Sequence, residues 1–305
     1  MNNTPNTPIN KARLQLIISM SIFGTLAIFV RNISVSSGEL ALYRAILAAI
    51  LIGTYLLVSA QKSKTASGND GTKSNNPFRC TKKELILLLF SGMAMGFNWI
   101  LLFEAYKYTS VSAATLSYYF APIIVTVVCP FLFHEKLTKK QILCFTMSTL
   151  GVFLITGVPD FQNMGRDTIG ILFGLSAAVF YATVILLNKF IKNVAGIHRT
   201  FLQFLAAVVT LIPYVALTSC FHINTLDSKG WINLLIVGLI HTGITYCLYF
   251  SSLKELPGQE AAILSYVDPL MAVIISVTIL GESISLPQII GGILILGFAI
   301  WNEKE

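Results

Sequence analysis

Charge is scarce in this chain. Of its 305 residues, 11% are Asp, Glu, Lys or Arg, while 55% are hydrophobic. Soluble domains carry about 25% charged residues. A water-soluble core could not bury this much apolar surface, so the solvent of the folded chain is lipid. Cysteine is sparse and odd in number: Cys80, Cys129, Cys144, Cys220 and Cys247. No pair has metal-ligand spacing, which argues against a disulfide framework or a zinc module and leaves them as small apolar fillers. A Gly-rich loop ending in Gly-Lys-Ser/Thr is missing, so ATP-driven pumping has no support. His134, His198, His222 and His241 are far apart, with no His-Glu-x-x-His or Gly-x-Ser-x-Gly pattern. No cofactor or metal is expected.

What is present is a series of ten apolar runs. A span needs about 20 such residues. The expected spans are Leu14 to Val30, Gly38 to Val58, Glu84 to Tyr106, Val111 to Phe133 and Lys140 to Gly157. Then come Ile169 to Ile191, Thr200 to Thr218, Trp231 to Ser252, Gln259 to Leu280 and Pro287 to Trp301. Met1 to Asn10 reads as a disordered polar start, and the first run reads as a retained helix rather than a cleaved signal. Gln61 to Lys83, rich in Ser, Asn, Gly and Lys, reads as a flexible loop.

The net charge of +7 would suit nucleic acid, but its distribution does not. With the N-terminus placed in the cytoplasm, 16 Lys and Arg fall in inside segments and 4 outside, with Arg44 within a span. That bias puts both termini inside. The expected location is the plasma membrane, and the expected partners are the lipid bilayer and a small-molecule solute.

The chain also repeats itself. A shift of 147 residues, with no gap, lays Phe103 on Phe250, Lys107 on Lys254, Ala114 on Ala261, Tyr119 on Tyr266, Pro122 on Pro269, Glu135 on Glu282 and Gln141 on Gln288. One unit written twice must be read before any fold is assigned. The first copy covers 12–157, a connecting loop 158–168, and the second copy 169–302. Each has five spans, an odd number, so the second enters the membrane from the opposite face. The expected fold is therefore an all-α polytopic membrane protein, ten transmembrane helices in two inverted five-helix repeats. Such repeats place a solute site near the midplane between them.

The chain resembles the EamA-type transporters of the drug/metabolite transporter superfamily. The marks are Tyr43-Arg44, Ala105-Tyr106-Lys107, Ser112-Ala113-Ala114, Pro122, Glu135, Leu137 and Gly151. The second copy has Leu253-Lys254, Ala261, Asp268-Pro269, Gly281-Glu282, Gly291, Gly292 and Gly297. The resemblance implies export or uptake of small metabolites such as amino acids without ATP. Two departures stand out: His134 replaces the Gly common before Glu135, and Phe23-Gly24 stands where many members carry Trp-Gly.

Ionisable groups inside a span need partners or water. Arg44 either faces the cavity, where its planar fork suits a carboxylate or phosphate, or pairs with Glu104 to lock two helices. Asp268 lies mid-span before Pro269, which leaves the Ser265 carbonyl without its usual donor. Asp268 and His241, at similar depth, could relay protons; otherwise Asp268 is neutral and bonded to a hydroxyl. Asn98, Tyr118, Tyr119, Tyr181, Gln203, Tyr246 and Tyr266 are further candidates for the cavity lining, the rings favouring apolar or aromatic solutes, and each could instead be packing. Glu135 and Glu282, at the ends of the fourth and ninth spans, read as structural marks, as do Pro122 and Pro269. Gly92 with Gly96, and Gly170 with Gly174, have the spacing that lets helices approach closely. Against the transporter reading stand a membrane-embedded enzyme using Asp268 and His241 on a lipid-linked substrate, and a non-transporting sensor or scaffold.

Overall fold

Apolar runs punctuated by caps and prolines give helix after helix. The computed structural model describes residues 7–30, 32–66, 81–109, 114, 117–134, 136–156, 164–194, 196–218, 221–279 and 285–303. Among them there is no strand, and ten helical rods follow one another. They are α1 (Thr7–Gly24, resumed after Thr25 as Leu26–Val30), α2 (Ser37–Ala66), α3 (Lys82–Tyr108), α4 (Phe120–Phe133) and α5 (Lys139–Thr156). The second set is α6 (Met164–Phe190), α7 (Gly196–Thr218), α8 (Ser228–Leu235, Ile236–Ile244 and Thr245–Glu255 as one rod), α9 (Gly258–Ser265 and Val267–Thr278) and α10 (Leu286–Glu303).

Local chemistry sets the ends. Thr81 and Glu84 form a reciprocal capping box at the start of α3, and Asp227 accepts from the Gly230 amide at 2.7 Å to start α8. α9 breaks at Tyr266, three residues before Pro269, and Tyr119, three residues before Pro122, is likewise a turn leading into α4. The proline ring removes a donor and crowds the turn before it, so both copies interrupt the same span in the same place. Two expectations need correction. α1 begins at Thr7 rather than after a disordered start, and α2 continues through Gln61 to Ala66, into the segment read as a loop. Lys, Gln and Ala are good helix formers in water, so a helix need not stop where its apolar run does. At the other end of that segment Thr81 caps α3, and Lys82 and Lys83 begin it; 67–80 lie outside the described residues, as do Glu135 and Glu282.

Among the described residues, six rods are long and apolar enough to cross a bilayer: Ile9–Val30, Ser37–Gln61, Lys82–Ala105, Thr168–Phe190, Gly196–Thr218 and Ser228–Glu255, with Phe120–Phe133 and Ile289–Asn302 as shorter apolar helices. Rod ends meet in two separate layers. In one, Arg13 of α1 pairs with Glu260 of α9, Glu84 of α3 accepts from the Lys192 and Asn193 amides, and Lys189 of α6 sits over the Phe133 ring of α4. In the other, Glu39 of α2 accepts from the His222 amide before α8, and Gly170 of α6 lies against Thr109 after α3. Successive rods thus cross between the layers, as a polytopic membrane protein requires.

Packing respects the repeat. The pairs α3–α6, α3–α7, α4–α6 and α2–α3 recur as α8–α1, α8–α2, α9–α1 and α7–α8, while α2–α7, α4–α9 and α5–α10 pair each rod with its own mate. Exchanging the halves leaves these pairs unchanged, while α5–α9, α6–α8 and α9–α10 have no comparable counterpart among the described residues. Repeat mates touch at the pseudo-two-fold axis. The Trp99 indole N–H donates to the Tyr246 hydroxyl at 3.0 Å, and Tyr119 meets Tyr266 edge-on with centroids 6.3 Å apart. Each pair is 147 residues apart, the shift read from the sequence.

Candidate functional site

The site is built where α2 meets α8. Small residues allow the approach: a Cβ on Gly96 would stand 3.8 Å from the Cα of Ala207, and one on Gly243 would stand 3.6 Å from the Cα of Ala48. These are mates, 147 apart on α3 and α8 and 159 apart on α2 and α7. One turn away the correspondence slips. Gly92 faces Ala206 and Gly238 faces Leu47, the mate of Ala206, yet Gly92 and Gly238 are 146 residues apart. The first copy reads Gly92-Met-Ala-Met-Gly96 and the second Gly238-Leu-Ile-His-Thr-Gly243. α8 carries one extra residue between its two close approaches.

The chain absorbs that residue as a π-helix over Ile236–Ile244. The side chains record it. Thr54, Thr146, Thr183 and Thr210 each donate to the carbonyl four residues back, whereas Thr242 donates to Val237 and Thr245 to Ile240, five back, both at 2.8 Å. Thr242 also accepts from Nε of Arg44 at 2.8 Å. The Arg44 guanidinium lies 4.7 Å over the Trp99 ring, and the side chain is buried, with 2% exposure. Its terminal nitrogens make no hydrogen bond among the described residues. A buried cation with unspent donors over an aromatic face is built for an anion.

Aromatic rings enclose the same place. Tyr118 stacks on Tyr181 with centroids 5.2 Å apart, the hydroxyls of Tyr181 and Tyr249 are 2.7 Å apart, and Phe23 stands edge-on to Tyr246 at 5.0 Å. Asn98 donates to the Ala177 carbonyl at 2.8 Å and hydrogen-bonds with Tyr118. Asp268, half-buried, hydrogen-bonds with the Tyr119 hydroxyl and lies within electrostatic range of Tyr118, Tyr181 and Tyr246. Arg44, Asn98, Tyr118, Tyr119, Tyr181, Tyr246 and Asp268 therefore belong to one neighbourhood.

With that geometry in hand, the comparisons decide the family. Residues 10–157 and 168–302 each match the EamA-like transporter family. This chain is a member of the EamA-like transporter family. Relatives include the uncharacterized transporter YxxF of Bacillus subtilis (strain 168), 32% identical, with 93% of this chain and 86% of that one covered. An uncharacterized transporter of Archaeoglobus fulgidus is 24% identical over 94% of this chain and 95% of its own. A solved crystal structure shares the fold with a TM-score of 0.75, at 16% identity, over 94% of this chain and 95% of that chain.

Within this EamA member, several sequence expectations are not met. Glu104 does not pair with Arg44; it binds Lys107, three residues on along the same face of α3. His241 does not meet Asp268. Its Nε2 is 2.7 Å from the Thr25 hydroxyl and its ring lies against Phe29 at 5.0 Å, so the direct relay is not formed, nor is the pair on which the enzyme reading leaned. Tyr266 is fully buried beside Phe145 and its hydroxyl is 2.8 Å from that of Thr149, a packing role between α9 and α5. Gln203 is buried elsewhere, donating to Ser91 at 2.6 Å. Trp99, Thr242 and Tyr249 join the site without having been singled out by the sequence, and Phe23, noted there only as a departure from Trp-Gly, stands in its wall. Trp99 was within reach, because the 147-residue shift lays it on Tyr246.

Proposed function

We propose that this chain is a secondary transporter that exports small organic metabolites, amino acids or related carboxylate-bearing solutes, by alternating access. The observation that carries the reading is Arg44. Its terminal nitrogens have no hydrogen-bond partner among the described residues and stand inside an aromatic enclosure between the two halves, where a carboxylate would find two parallel donors. The units at 12–157 and 169–302 would rock about the axis through α2–α7, α4–α9 and α5–α10, exposing the enclosure to one face and then the other. Both termini lie in the cytoplasm of a cell whose plasma membrane holds the protein, in keeping with the Lys and Arg distribution. Asp268, in the second copy only, is the group that couples solute movement to protons.

The test compares metabolites inside and outside cells with and without the protein, without preselecting a solute. A carboxylate-bearing solute should shift outward with the protein and return to its control distribution with Arg44→Ala. Liposomes holding the purified protein should then exchange that solute. A protein that moves no solute in either setting would sink the transporter reading, and equal export by folded Arg44→Ala would sink the role of Arg44. Labels at Lys139 and Gln288 should react from opposite faces.

A further inference from the structure

The one-residue insertion in α8 has no counterpart in α3, and it falls where Arg44 docks. We propose that this insertion is the specificity-setting element of the site, with Thr242 as a positioning residue that holds the Arg44 guanidinium over Trp99 and leaves its terminal nitrogens for a carboxylate. The carboxylate part rests on the function proposed above; the positioning part does not.

Thr242 satisfies the requirements of a fixed acceptor. Its hydroxyl proton is committed to the Val237 carbonyl at 2.8 Å, so its lone pairs face outward, and one accepts from Arg44 Nε at 2.8 Å. A threonine in ordinary α-helix donates four residues back, as Thr146 and Thr210 do. The five-residue step is the signature of the π turn, so the direction of the Thr242 lone pair follows from the extra residue. Holding Nε from one side fixes the plane of the guanidinium. The plane then lies over the Trp99 ring, which is itself fixed by its bond to Tyr246 and by stacking on Phe204 at 6.0 Å. Nothing else among the described residues hydrogen-bonds to Arg44. The contact at the mate of Arg44 has a different form: Gln203 donates to Ser91, which sits on α3, the helix without the insertion.

The chain has three tryptophans, Trp99, Trp231 and Trp301. Replacing Trp231 and Trp301 by Phe leaves Trp99 as the sole emitter, and a cation over its face shifts its emission. Without any ligand, Thr242→Val should shift the emission of Trp99 in the same sense as Arg44→Gln, while Thr242→Ser, which keeps the hydroxyl, should not. Deletion of Ile240, which restores the Gly92–Gly96 spacing between Gly238 and Gly243, should reproduce the Thr242→Val emission. Phenylacetate serves as the carboxylate probe and phenethylamine as its matched cation. Thr242→Val should weaken phenylacetate binding by roughly tenfold to a hundredfold, and Thr242→Ser should restore it. Thr242→Ala takes the place of the valine variant if that variant does not elute as a single species. Wild-type emission in the folded valine or alanine variant would overturn the positioning role. If the emission moves as expected but phenylacetate binding is indifferent to Arg44→Gln, the positioning role stands and the carboxylate reading above falls.

Discussion

Arg44 and Gln203 occupy the same place in the two halves of one frame, and the frame treats them differently. Each reaches from the second helix of its own repeat to a hydroxyl on the third helix of the other: Arg44 to Thr242, Gln203 to Ser91. Gln203 is fully buried, and Ser91 receives a second amide from Asn188 at 3.4 Å. The neutral pair leaves an acceptor, Gln203 Oε1, without a partner among the described residues, whereas the charged one keeps donors in reserve. Asp268 shows the same asymmetry, since its mate is Ala121. Packing is shared between the halves, whereas the buried charges are not: Arg44 and Asp268 each have a neutral residue at the mate position.

The comparison breaks most visibly at its charged end. Arg44→Ala should lower transport at least about a hundredfold, because it removes charge-assisted hydrogen bonds made in a water-poor site. Gln203→Ala should leave transport within roughly threefold and show its effect in stability, about 1–2 kcal/mol, by removing the shorter of the two bonds that Ser91 accepts. Solute exchange in liposomes reads the first, and thermal unfolding in detergent the second. Equal transport losses would mean that the two positions share one role.

Next in size is the acid. With an imposed pH gradient, the wild type should concentrate solute, by roughly tenfold per pH unit for a one-proton exchange. Asp268→Asn should only equilibrate it. The variant keeps the side-chain shape and can still hydrogen-bond with Tyr119, so a fold defect is not the expected cause of the loss. Gradient-driven accumulation by Asp268→Asn at the wild-type level would remove the coupling role.

These residues also show what the sequence could tell. Candidacy was legible: Arg44, Tyr118, Asn98 and Asp268 each stand out as a polar or aromatic residue within an apolar span. The frame was legible too, since Trp99–Tyr246 and Tyr119–Tyr266 contacts follow from one shift of 147. Azimuth was not. In a membrane helix the lipid face and the packed face are both apolar, so hydrophobic periodicity does not reveal which way a polar residue points. Glu104 and His241 turn to other partners, Lys107 and Thr25, than the ones the sequence suggests. Tyr266 failed for the same reason, turned toward α5 rather than Asp268. The π turn could be read only by noticing that two glycine pairs differ in spacing, and a gapless comparison of the copies passes over it.

Packing glycines sharpen the comparison at a smaller scale. A Cβ on Gly92 would meet the Gln203 carbonyl and stand 2.6 Å from the Cβ of Ala206, while on Gly96 the nearest atom would be 3.5 Å away. Gly92→Ala should therefore cost about 1–3 kcal/mol by forcing α3 and α7 apart. Gly96→Ala should be neutral or slightly stabilising, since alanine favours helix by about 1 kcal/mol. Unfolding midpoints in one detergent decide the matter, and equal destabilisation would contradict the geometry.

The smallest expected effect lies at the end of α4. His134 caps that helix in the left-handed region, at φ 54° and ψ 29°, and its repeat mate is Gly281. A side chain in that region suffers its Cβ against the following carbonyl, at roughly 1–2 kcal/mol, which glycine avoids. The copies thus differ at a position where backbone geometry favours the residue that the second copy has. His134→Gly should raise stability by up to about 1 kcal/mol, with part of the relief offset by the greater freedom of glycine in the unfolded chain. Transport should not change, because the residue lies at the far end of α4 from Tyr118 and Tyr119, and none of the residues placed in the enclosure is near it in the chain. A fall in stability would mean that the imidazole makes a contact worth more than the strain it bears, and the difference between the copies would then be a gain for the first rather than a tolerated cost.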